Sequence, residues 1–106
     1  MDNRLDMIRH FPKRLNRWKG AHARLWTLTD GMPKLTILLE GDDREGCLMI
    51  FCGSPERIEA PIHWSNSDIS VEMDTGLFKV VDRGANVLIS NCEVGLDERK
   101  TKPWEE

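Results

Sequence analysis

The 106-residue sequence has no long apolar run. Its most apolar stretch, Leu48 to Cys52, is far short of the roughly 20 residues that cross a bilayer, so no membrane-spanning helix is expected. It has no strong excess of one charge either: 15 Lys and Arg face 18 Asp and Glu, a net of −3, too mild to name a partner by itself. Close cysteine pairs are absent. Cys47, Cys52 and Cys92 are an odd number, and Cys47 and Cys52, five apart on an extended strand, point to opposite faces and cannot clamp one ion. His10, His22 and His63 fall on three different elements, so no metal and no cofactor are expected. No phosphate-cradling loop is present, because Gly41 to Gly46 encloses Asp42, Asp43 and Glu45, which repel phosphate. Internal repeats and low-complexity segments are missing as well.

The N-terminus, Met-Asp-Asn-Arg-Leu-Asp, is charged from its second residue and lacks the apolar segment of a secretory signal, so a reduced, cytoplasmic chain is expected. Apolar residues at 40% and charged residues at 31% are those of an ordinary folded domain. One domain spanning 1–106 is expected, with a helical segment at 1–20, a β body at 21–94 and a mobile, charged tail at 95–106.

Up to Gly20 the apolar residues recur at helical spacing. Leu5 and Ile8 form one short stripe, and Phe11, Leu15 and Trp18 form another at i, i+4, i+7. Pro12 disfavours helix at Phe11 and suits the first turn of a new one, which predicts two helical pieces, the second closed by Gly20 as a left-handed cap. After Gly20 the period falls to two. Turn signals, clearest at Asp30-Gly31, divide the chain into candidate strands at 22–29, 34–40, 47–52, 57–64, 69–73, 77–82 and 87–94. Ile58, Ala60, Ile62 and Trp64 would share one face of the fourth, while Ile69, Val71 and Met73 would oppose Ser70 and Glu72 in the fifth. The expected fold is α+β, mainly antiparallel β: a six- to seven-stranded meander curled into a barrel or two-layer roll, with a short N-terminal helical segment.

Charge is unevenly placed. Residues 1–24 carry seven basic side chains and two acids, and the acids concentrate in the remainder. This is the pattern of a basic helix docked on its own acidic body, and equally that of a nucleic-acid arm. Lys13, Arg14 and Arg17, interleaved with Trp18 and Trp26 in the segment 10–26, are the candidate contacts for a protein partner or for single-stranded nucleic acid, whose phosphates they would neutralise and whose bases the rings would stack. Glu59, His63, Ser70 and Glu72 on polar strand faces form a candidate ligand face, set against the simpler expectation of a solvated surface. No catalytic signature is present. The function expected is a small non-enzymatic binding or adaptor module that contacts a protein partner or a second copy of itself. Single-stranded nucleic-acid binding and a small-ligand pocket or enzyme within the β-barrel are the alternatives. Trp104, alone in the charged tail, is expected to dock on its own domain.

Overall fold

A computed structural model describes residues 3–29, 34–41, 43–74 and 76–105. One helix, α1 (Asn3–Arg17), precedes eight strands: β1 (His22–Thr29), β2 (Lys34–Glu40), β3 (Cys47–Gly53), β4 (Arg57–Glu59), β5 (His63–Trp64), β6 (Ser70–Asp74), β7 (Leu77–Asp82) and β8 (Val87–Arg99). All pairs are antiparallel, in the order β5-β1-β2-β3-β8-β7-β6, with β4 added to β8. The fold is therefore the expected α+β one, a predominantly antiparallel sheet curled into a half-barrel with one short helix. No helix among the described residues is long and apolar enough to cross a membrane.

The two expected helical pieces are one continuous helix with Pro12 inside it. A proline in a helix interior removes one hydrogen bond and costs about 3 kcal/mol. Against that, Phe11, Leu15 and Trp18 are all buried on the sheet, and burial of each such side chain contributes roughly 1.5–3 kcal/mol. Packing outweighs the local preference. Gly20 adopts φ +88°, as a left-handed cap requires, and its N–H donates to the Ser67 carbonyl at 2.7 Å, tying the helix end to the loop before β6.

The candidate strand 57–64 is two short strands on different parts of the sheet, β4 on β8 and β5 on β1. Pro61 has no N–H for a ladder, and the chain leaves the sheet at Ala60 to Ile62. The shared apolar face is lost: Trp64 is buried, whereas Ile58 is exposed and Ile62 is 76% exposed. The Asp30-Gly31 turn lies outside the described residues.

β8 is the spine of the half-barrel. Its first part pairs with β7 and β4, and its second part, from Glu93 to Arg99, pairs with β3. Between them Lys79 of β7 faces two residues, Ser90 and Asn91, and Asn91 sits at φ +52°. This bulge shifts the inward set from Val87 and Ile89 to Cys92 and Val94, so the strand bends while keeping its apolar side on the core. The core also takes in Leu35, Ile37 and Leu39 of β2 and Leu48, Ile50 and Cys52 of β3. Asp82 is buried beside it and accepts from the indole N–H of Trp64 and the backbone N–H of Asp68, both at 2.9 Å.

The expectation of a mobile tail from Gly95 is corrected. Gly95 to Arg99 complete β8, because Leu96 packs against the core while Glu98 and Asp97 bond to Arg17 and Arg99. Beyond it the chain turns back over the outer face of β3, β2 and β1. The Cys47 thiol donates to the Thr101 carbonyl, and Trp104 lies 5.7 Å from Trp26, under the Arg24 guanidinium. A second apolar cluster, Leu38, Cys47 and Met49 with Phe51, is buried on this face. Trp104 thus docks on its own domain.

Candidate functional site

The segment 10–26 does not form one surface. His10, Lys13, Arg14 and Arg17 recur at i, i+3, i+4 and i+7 and make a stripe along α1, where they border a cleft against Leu96 of β8. Trp18 is on the adjoining, inward face. It is only 5% exposed, and its indole N–H donates to Glu98 at 2.8 Å. Trp26 lies on β1, and β2 and β3 separate β1 from β8. The cationic side chains and the exposed ring therefore sit apart, and Trp18 and Phe11, being core, offer no face to a base.

Glu98 joins helix to sheet. Besides Trp18 it accepts from Arg17 at 2.5 Å, and Arg44 donates to the carbonyls of Arg17 and Lys19. The basic helix is docked on an acidic residue of its own body, one of the two arrangements its charge pattern allows. Burial opposes ionisation of the Glu98 carboxyl, but the bonds from Trp18 and Arg17 outweigh it and hold the group below the ordinary glutamate value. A carboxyl lowered on folding stabilises the fold above its unfolded value, and that contribution is lost as pH falls through the folded one. Glu72, lowered chiefly by its bond from Arg83 and further by Lys79, acts with the same sign. The urea midpoint should therefore fall as pH drops below about 4.3. Glu98→Gln should lower the midpoint at neutral pH and flatten that acid limb; an unchanged limb would exclude Glu98 as its source.

The candidate ligand face does not converge. Glu59 pairs across the ladder with Leu88, Leu88 with Val81, and Val81 with Ser70. Glu59 and Ser70 thus occupy one row, but three strand spacings, roughly 14 Å, apart. Glu72 is taken up by Arg83 at 2.9 Å and Lys79 at 3.3 Å, and Glu59 by Arg57. His63 is elsewhere, on β5 beside β1, with its ring 5.4 Å from that of His22. Among the described residues no group of three or more His, Cys, Asp or Glu converges as metal ligands would. All three cysteines are buried.

What the fold does assemble is a surface around the edge of β1. A hollow of about 510 Å³ is lined by His22, Arg24, Leu25, Trp26, Ile62 and His63. Adjoining it, Leu25, Trp26, Thr27, Leu35 and Ile58 line an apolar groove of about 160 Å³. Trp26, Ile58 and Ile62 are all exposed, and the half-exposed ring of Trp104 lies against Trp26. On this side the ladder of β1 reaches only Ala23 and Arg24, with one further bond from the Leu25 N–H to the Ile62 carbonyl. Past Leu25, among the described residues, β1 is paired on the β2 side alone. Of this surface sequence reasoning singled out Trp26 and His63. Ile62, the most exposed large apolar side chain among the described residues, was marked by the preceding Pro61, which ends the alternation that would have turned it inward.

Comparisons with protein-family models, with curated proteins and with solved structures find no match.

Proposed function

We propose that the chain is a non-enzymatic binding module that takes an extended segment of a partner protein along the outer half of β1. The observation that carries this reading is the coincidence of a half-paired strand edge with exposed Trp26, Ile58 and Ile62 around it. A strand edge offers alternating N–H and carbonyl groups that only another extended backbone satisfies in series, and apolar hollows beside it select alternate side chains. The segment Trp26-Thr27-Leu28-Thr29 carries no charge, whereas sheet edges kept from pairing usually do. The partner segment is accordingly apolar at alternate positions. A cytoplasmic setting goes with this reading, supported by the buried, free thiols of Cys52 and Cys92.

The test is selection of random peptides on the intact chain, followed by affinity measurement with Trp26→Ala and Ile62→Asp. Both substitutions fall on exposed side chains and should preserve the fold while weakening selected peptides at least about tenfold, the loss of one anchor. Peptides indifferent to both changes would place the site elsewhere. Native mass gives the complementary result. A 12.2 kDa species leaves the edge open to a partner, whereas a doubled mass abolished by Ile62→Asp would assign the edge to a second copy in a two-fold pair.

A further inference from the structure

We propose that the cleft between α1 and the second half of β8 binds a small organic phosphate: a phosphate or diphosphate group carried on an apolar body of nucleotide size. This does not rest on the partner-binding reading, since β1 is separated from β8 by two strands. The cleft is about 450 Å³, within the roughly 300–1,000 Å³ typical of small-ligand sites, and it is lined by His10, Phe11, Lys13, Arg14, Arg17 and Leu96. The helix wall is therefore a stripe of cations and one imidazole over the buried Phe11, and the β8 wall is Leu96.

The stripe is about 10 Å long, from seven residues at 1.5 Å rise each. Arg17 at one end is taken up by Glu98. Lys13 and Arg14 are exposed and make no ion pair with a described carboxylate. Like charges three and four residues apart on a helix repel; Glu98 answers the Arg17 end and its charge reaches Arg14 as well, so an anion is favoured chiefly toward Lys13. A carboxylate has two oxygens and is satisfied by one guanidinium. Three donor side chains spread over more than a turn match the larger oxygen set of a phosphate, with Arg14 as a forked donor and Lys13 as a point charge. Leu96, half-buried on the β8 side of the cleft, supplies the contact for a base or another apolar body. A long nucleic-acid strand suits the site less well. Followed along the stripe its next phosphate meets the Glu98 carboxylate, which is held in its ionised form beside Arg17 and Trp18.

The experiment titrates the full chain with adenosine triphosphate, inorganic pyrophosphate and a labelled deoxythymidine decamer, at low and physiological salt. Adenosine triphosphate should bind saturably at one site, more tightly than pyrophosphate, and more weakly as salt rises. The double substitution Lys13→Ala, Arg14→Ala should lower its affinity at least about tenfold with an unchanged circular-dichroism spectrum, since both side chains are exposed. Absence of saturable triphosphate binding at low salt, or binding indifferent to the double substitution, would overturn the proposal. Pyrophosphate binding as tight as triphosphate would overturn the apolar half of the site. A decamer binding far more tightly than triphosphate through the same two residues would overturn the small-ligand assignment and return the stripe to nucleic acid.

Discussion

Replacing Trp18 with alanine is expected to destabilise the fold by about 3–5 kcal/mol, the range for deleting a buried large aromatic side chain. The ring, one residue past the end of α1, works with Phe11 and Leu15 to hold the helix on the sheet, and its N–H makes one of the two bonds that keep Glu98 ionised beside it. Its removal opens a cavity and loosens the helix at once. Arg44, whose guanidinium lies 5.7 Å from the ring centre, loses its packing surface as well. Trp26→Ala should by contrast cost less than about 1 kcal/mol, because that ring is 38% exposed and borders the open edge of β1. Urea denaturation of the two variants side by side checks the assignment. Equal costs would contradict the division of these tryptophans into core and surface.

Gly46→Ala should be comparably damaging, for a different reason. Gly46 has φ +72°, and a Cβ built there would lie 1.9 Å from the Arg99 carbonyl oxygen. The obstacle is backbone, so no side-chain rotation relieves it, and the first rung of the β3–β8 ladder, Cys47 opposite Arg99, must part. Left-handed backbone alone costs a non-glycine residue of order 1–3 kcal/mol, and the parted rung adds to that. Gly76 provides the control within the same chain. It has φ +88° but nothing within 4 Å of its built Cβ, so Gly76→Ala should show the backbone cost alone. Thermal denaturation should place Gly46→Ala clearly below Gly76→Ala. If the two coincide, the approach of Arg99 to Gly46 is not a constraint on the fold.

Most of the strands were legible in the sequence because a half-buried strand writes its two faces as alternation. The starts of β1, β2, β3, β7 and β8 coincide with the expected ones. What alternation cannot convey is which strand lies beside which. Cys47 to Gly53 pairs with Glu93 to Arg99, 40 to 52 residues later, and no local signal links them. The local misreadings have definite causes: Pro61 breaks the single strand expected over 57–64 into β4 and β5. Pro12 was read as a boundary because local preference favours one there, and tertiary burial of Phe11, Leu15 and Trp18 overrides it. The tail was read as too charged to pack, although its charges find partners in Arg17, Trp18 and each other. Among the candidate contacts, the i, i+3, i+4, i+7 spacing of His10, Lys13, Arg14 and Arg17 was available from the sequence once one continuous helix is assumed. The surface around β1 was not, since Trp26, the stretch 58–62 and Trp104 are far apart in the chain and Ile58 and Ile62 were expected to face the core.

The bent strand β8 fixes the order in which this chain can mature. It is last among the strands in chain order, yet it lies at the centre of the sheet, between β3 on one flank and β7 on the other, with β4 attached. During synthesis the β1-β2-β3 meander can form from neighbouring segments, but the open flank of β3 has no strand beside it until Glu93 to Arg99 emerge. Closure then depends on contacts distant along the chain, which makes folding slow for a domain of this size. That interval leaves the edge of an uncharged run from Leu48 to Cys52 open to other chains, so aggregation should be most pronounced when β8 is truncated or slow to dock.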